Sequence, residues 1–388
     1  MIETRINKNT AFYLLIASLS SLLLSLFLLQ LFTGVLSVIW LFESVKNKRK
    51  TLDIFAGLIL IFGIIRILSI IFSQYPQVSV QSLYKDALFY FSFFSFSYFL
   101  KAFSKDKVKT AAYSFIISAA IISLIGLVLF NFRLADRAQS FSSGYATFSS
   151  YLLAALGVFI ALPFSFNKKY DLISWSLGIA LILSGIITSM GRTNIAIAGF
   201  LLVAGLILKK ISLKSALIII ILTSVITLIS FNNNKIEVTQ RVEHPAALSD
   251  RNILLKGTKA LALEHPLLGF GPRTFHNIFP FADELSDKGI GSWHNDFIQV
   301  YFESGILGLL SFLAIIFAVF YYAVLYLKKK QLDNDYNQIV LGVLLGFAGL
   351  ILSAVTAGFI DSPVLSIEFS FLISLLAAVI YHSKYSTK

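Results

Sequence analysis

The chain has 388 residues, 57% of them hydrophobic and only 13% charged, and its mean hydropathy of +0.82 excludes an ordinary soluble globular protein. Cysteine is absent, which removes disulfides, thiolate metal sites and a cysteine nucleophile. A net charge of +12 would suit a nucleic-acid binder, but cytoplasmic loops of membrane proteins also carry positive excess, so the placement of the charge decides.

The apolar segments are solid over about 20 residues, the length of a spanning helix, and do not alternate as barrel strands would. The fold class is therefore all-α, a polytopic membrane protein. Residues 11–42 are too long for a signal-peptide core of about 7–15 residues. They read as two helices turning near residues 30–34, because basic residues flank the run on both sides and both flanks belong in the cytoplasm. Further spans follow at 51–72, 82–100, 111–130, 145–166, 172–189, 194–208 and 216–231. After a long polar interval come spans at 297–327, 339–359 and 363–382, giving twelve with both termini inside. Twenty of the 32 Lys and Arg residues then fall in the termini and cytoplasmic loops and ten outside. Membrane insertion accounts for the basic excess, and no nucleic acid is expected as a partner.

No internal repeat or linker appears, so residues 1–388 read as a single integral membrane domain. Residues 232–296 form a large outer loop between the ninth and tenth spans, a candidate catalytic lid. Four of the five histidines, His244, His265, His276 and His294, lie in it.

Arg192 stands in Gly191-Arg192-Thr193-Asn194, at the outer end of two helices, where insertion gives no reason for an arginine. Its position leaves two readings open, a headgroup-level arginine or a guanidinium aimed at a phosphate. Arg251 follows Ser249-Asp250, a plausible helix N-cap, and would sit in the first turn of an amphipathic helix over 251–264 suited to the membrane surface. A cation there is mildly unfavourable unless it meets an anion. His265-Pro266-Leu267-Leu268-Gly269-Phe270-Gly271-Pro272 is a shaped turn and, taken alone, a weak signal. His294, in Trp293-His294-Asn295-Asp296, has a carboxylate and an amide beside it that could fix its tautomer, as a general base requires; it could equally belong to an interfacial aromatic belt. Glu303-Ser304-Gly305 follows within the next span. Lys85, Arg137 and Asp361 also face outward and could add contacts to an anionic substrate, whereas Arg66, with Asp53 or Asp86, could be a structural pair. The histidine spacing fits no zinc motif, so no metal and no cofactor are expected.

The order of these motifs resembles the bacterial O-antigen ligase and polymerase superfamily, and within it the O-antigen ligases of the WaaL type. The likeness is carried by Gly191-Arg192-Thr193, Asp250-Arg251-Asn252, the His-Pro-Leu-x-Gly-x-Gly turn, His294-Asn295-Asp296 and Glu303-x-Gly305-x-x-Gly308. It implies a GT-C-like glycosyltransferase in the bacterial inner membrane. Such an enzyme moves O-antigen from undecaprenyl diphosphate to the lipid A core at the periplasmic face, with inversion and without a metal. It also implies an essential histidine at His294, essential arginines at Arg192 and Arg251, and a further important acid at Asp361. An O-antigen polymerase, with a second lipid-linked repeat as acceptor, shares the donor and topology. A flippase would be expected to show paired repeats and broken helices at mid-membrane, which the sequence does not display.

Overall fold

Apolar stretches that cannot face water and cannot leave backbone amides unpaired in lipid have one local solution, the helix. The computed structural model describes residues 8–48, 52–162, 171–235, 238–239, 247–288, 291–329 and 333–385, and among these it is entirely helical and turn. Each of the twelve predicted intervals holds a long helix: α1 (Lys8–Ser21), α2 (Leu26–Phe42), α3 (Ile54–Ile71), α4 (Ala87–Ala102), α5 (Lys105–Asn131), α6 (Tyr145–Ala161), α7 (Asp171–Thr188), α8 (Arg192–Ile207) and α9 (Leu213–Asn233), then α11 (Asp296–Lys328), α12 (Asn334–Ser353) and α13 (Pro363–Tyr385). Between α9 and α11 the long loop, called the outer loop after its expected side, carries α10 (Ala247–Leu261). Six helices among the described residues, α3, α5, α9, α11, α12 and α13, are long and apolar enough to cross a membrane.

Two boundaries differ from expectation. The break between α1 and α2 falls at residues 22–25, not 30–34: Leu23 takes a φ of 61° and the Ser25 hydroxyl accepts from Leu28 N–H at 3.3 Å, capping α2. Gly34, read as the turn signal, lies inside α2. The helix predicted for 339–359 ends at Ser353, which frees residues 354–362 as a link to α13.

Small residues set the closest crossing. On α12, Gly342, Gly346 and Gly349 face α6, and a Cβ added at Gly157 of α6 would lie 2.3 Å from Gly346 N. Backbones so close exclude side chains and gain close dispersion contact, as in membrane helix pairs generally. The crossing brings Ser150 of α6 to Ser353 at the C-terminal end of α12, where their hydroxyls bond. On another side, Ser370 and Ser374 of α13 donate to Phe89 and Phe93 carbonyls of α4, at 3.1 and 3.2 Å.

The outer loop has a small core of its own, made by Leu254 and Leu261 of α10 with Phe270, Phe275, Phe279, Leu285 and Trp293. Phe302 of α11 completes it, stacked on Trp293 at 4.2 Å between ring centroids. A Cβ at Gly257 would meet the Phe279 ring at 2.2 Å, so α10 turns its apolar stripe onto the loop core. The helix begins at Ala247, upstream of the predicted cap at Ser249-Asp250, which puts Arg251 in its second turn.

Candidate functional site

The outer loop is fastened to the membrane body through a break in α11. At Gly305 the backbone adopts φ 64° and ψ −166°, a conformation reserved in practice for glycine, and the helical hydrogen-bond ladder is interrupted there. The turn that follows α10 fills the gap. Phe270 N–H donates to Phe302 O at 2.7 Å, Ile306 N–H to Pro266 O at 2.7 Å and Leu307 N–H to Leu267 O at 3.4 Å. The amides and carbonyls that a kink leaves without partners are thus satisfied from outside the helix. Contact is close enough that a Cβ at Gly305 would fall 2.1 Å from the Leu267 carbonyl, and one at Gly269 2.4 Å from Phe302 O. On the other side of the same turn, Ser73 beyond α3 donates to Phe270 O at 2.6 Å. The two glycine-bearing motifs, separate in sequence, are therefore two halves of one clip.

Beneath the clip lies a cluster of charges in which Arg66, Asp86 and Glu303 have almost no solvent contact and Arg273 and Asp361 are partly exposed. Arg66 of α3 donates from Nη1 to Glu303 Oε2 at 2.9 Å and from Nη2 to Asp86 Oδ2 at 3.2 Å. Arg273, just past the clip, bonds Asp86 Oδ1 through Nη2 at 2.5 Å and approaches Asp361 Oδ1 at 3.6 Å, while its backbone N–H donates to Glu303 Oε1 at 2.9 Å. Gln299 of α11 donates from Nε2 to Glu303 Oε1 at 3.1 Å and to Asp361 Oδ2. Arg66 is thus paired with Asp86 as one of the two expected options, with Glu303 added; Asp53, the other option, binds Lys101 at 2.6 Å.

His294 sits immediately before α11, at a φ of 48° and reaching solvent. Its neighbours do not serve it as expected. The Asn295 carboxamide oxygen accepts from Phe297 and Ile298 N–H at 3.0 and 3.1 Å, capping α11, and its Nδ2 donates to Val355 O at 3.0 Å. The Asp296 carboxylate is buried and accepts from Phe359 N–H at 2.8 Å and Ile360 N–H at 3.3 Å. Both side chains therefore hold the α12–α13 link and the helix start, and neither fixes the imidazole tautomer. What acts on the ring is its surroundings and Arg251. Protein packed around the imidazole strips part of its hydration, and the Arg251 charge adds repulsion, so both hold its pKa below the ordinary histidine value. Both effects favour the neutral form of the imidazole.

Arg192 begins α8 with an exposed side chain. Two residues on, Asn194 donates to Ser149 at 2.7 Å and to Ser150 at 3.4 Å, and Ser150 bonds Ser353. Since Asp296 N–H donates to Ala354 O at 3.0 Å, hydrogen bonds run from the Arg192 corner to the residues after His294, all at one end of the bundle. Arg137 belongs to the same corner: Ala138 N–H donates to Thr188 O at 3.1 Å, and the Arg137 guanidinium lies 3.9 Å from the Tyr145 ring centroid. Lys85 is exposed and bonds Gln81 of its own short helix at 2.9 Å, while its neighbour Asp86 enters the cluster. Asp361 is engaged by Arg273 and Gln299 and faces that cluster. Among the other loop histidines, His265 bonds Gln74 at 2.9 Å, His276 is exposed, and His244 lies outside the described residues.

Arg273 and Gln299 escaped the sequence reading. Arg273 did leave a signal, as an outer cation that insertion does not call for, directly after a two-glycine turn. Gln299 left none.

No curated protein matches the chain at a significant level. A family model does, and its reach takes in α8, α9, the outer loop and the clipped half of α11, hence Arg192, Arg251, Arg273, His294 and Glu303, whereas Arg66, Lys85, Asp86, Arg137 and Asp361 lie outside it. Residues 177–313 match the family described as O-antigen ligase, and over that stretch the chain is similar to members of that family.

Proposed function

We propose that the protein is an O-antigen ligase that transfers O-antigen polysaccharide from undecaprenyl diphosphate to the lipid A core at the periplasmic face of the inner membrane. The observation that carries this reading is the match of residues 177–313 to the O-antigen ligase family, a stretch that holds Arg192, Arg251 and His294. In the reaction, an acceptor sugar hydroxyl attacks the anomeric carbon of the donor sugar as the bond to the diphosphate oxygen breaks. His294 takes the hydroxyl proton, a contribution of roughly 10²–10⁴ in rate. Negative charge grows on the departing lipid diphosphate, and Arg251 and Arg192 receive it, with Arg137 and Lys85 extending the cationic rim. A preorganised donor of this kind is worth about 3–4 kcal/mol. Direct displacement inverts the anomeric configuration. Two arginines meet the charge that a metal ion would otherwise balance, so transfer is expected to persist in EDTA.

The topology belongs to the same reading, with twelve spans, both termini cytoplasmic and residues 232–296 acting as a periplasmic lid on a GT-C-like membrane domain. Lipopolysaccharide from a deletion strain tests the assignment. A ligase deletion leaves bare core while long lipid-linked chains accumulate. A single repeat attached to core would instead identify a polymerase.

A further inference from the structure

Arg273 occupies a costly position. It holds a φ of 62°, which a side-chain-bearing residue adopts reluctantly, and its Nε is buried without a hydrogen-bond partner. Such strain persists only where the surroundings over-determine it. Here they do: Glu303 accepts its backbone N–H, while Asp86 and Asp361 flank its Nη2.

Charge explains why an arginine is needed. Asp86, Glu303 and Asp361 bring three carboxylates to one place, and Arg66 and Arg273 bring two guanidinium groups. Tyr90 of α4 and Asp296 of α11 are the other titratable groups around the cluster. Without Arg273, Arg66 alone would face three acids in a site where removing one partner of a buried pair is strongly unfavourable. The consequence would reach α11 through Gln299, whose Nε2 donates to both Asp361 and Glu303 and whose backbone N–H donates to Asn295 O at 2.9 Å in the first turn after His294.

We infer that Arg273 is a positioning residue for the transfer reaction: by neutralising Asp86 and Asp361 it keeps Gln299 bridged between Asp361 and Glu303, and so holds the start of α11 and His294 in place. Its guanidinium is not a phosphate ligand, because the two acids on its fork repel an anion. The inference rests on His294 being the base of the proposed ligase. Misplacing a catalytic group by about 1 Å costs on the order of 10²-fold in rate, so the effect belongs in kcat.

The test is a kinetic series on full-length protein in proteoliposomes with lipid-linked O-antigen as donor. R273Q is expected to lower kcat by about 10- to 100-fold while donor KM stays within about twofold. Adding D86N, which removes the excess acid yet leaves Arg66 a neutral acceptor, should restore kcat to within about fivefold of wild type. R273K, with the charge but not the fork, should fall between. A raised KM at constant kcat, or no rescue by D86N, overturns the inference in favour of direct substrate contact. Should R273Q fail to accumulate, R273K with and without D86N decides by the same criteria. Transfer by H294A would sink the base assignment, whereas wild-type kinetics of R273Q with an inactive H294A would sink only the role of Arg273.

Discussion

Replacing Gly305 with Ala attacks the clip at its centre. The new Cβ would lie 2.1 Å from the carbonyl carbon and oxygen of Leu267, both backbone atoms, so the 265–273 turn must retreat. The backbone at φ 64° and ψ −166° is itself unfavourable for alanine by about 1–3 kcal/mol. Retreat of the turn also breaks the bonds from Phe270, Ile306 and Leu307 and that from Arg273 N–H to Glu303, four in all. At about 0.5–1.5 kcal/mol each, these add roughly 2–6 kcal/mol. Even the lower end, about 3 kcal/mol, shifts the docking equilibrium of the loop by about 100-fold. In membranes open to protease on the outer side, cleavage at Lys256 and Lys259 should accelerate by about that factor, since nicking follows the open population. Transfer should fall in parallel. Gly57→Ala, at a glycine with open space around its Cβ, is the control and should change neither. A G305A protein with wild-type cleavage and transfer would refute the clip.

Arg251→Ala should raise the His294 pKa, because it removes a positive charge that disfavours the imidazolium. The acid limb of the kcat/KM profile should then move to higher pH, and a limb that stays or moves down would contradict the coupling. Arg66→Leu leaves Asp86 and Glu303 buried and facing each other, a loss of about 3–5 kcal/mol visible as a lower Tm in detergent; an unchanged Tm would deny the cluster a structural role. Gly346→Leu drives a side chain into Ala154 O, 2.5 Å from the would-be Cβ, and should destabilise by about 1–3 kcal/mol or more. Its thermal unfolding should show the loss, and wild-type stability would show that α6 and α12 can part without penalty.

Apolar runs of spanning length made the twelve helices legible, since lipid leaves the backbone no alternative. The α1–α2 turn was misread because Leu22-Leu23-Leu24 carries no glycine or proline, while Gly34 looks like punctuation and is helical. In the candidate site, His294 stands out as a polar residue at the edge of an apolar helix, and Arg251 as a cation near the start of an amphipathic one. The charge cluster could not, because its partners are up to 237 residues apart and each acid has a plausible local role of its own. Asn295 and Asp296 show the same limit. Adjacency to a histidine suggested that they orient it, but helix geometry turns one into a cap and sends the other to the Phe359 and Ile360 amides.

The central claim, that His294 is the base that activates the acceptor, is tested most directly by His294→Ala in the purified, correctly inserted protein with lipid-linked O-antigen and core acceptor. The account predicts that transfer falls by about 10²-fold or more while the lipid-linked donor still binds. Transfer at the wild-type rate would contradict it.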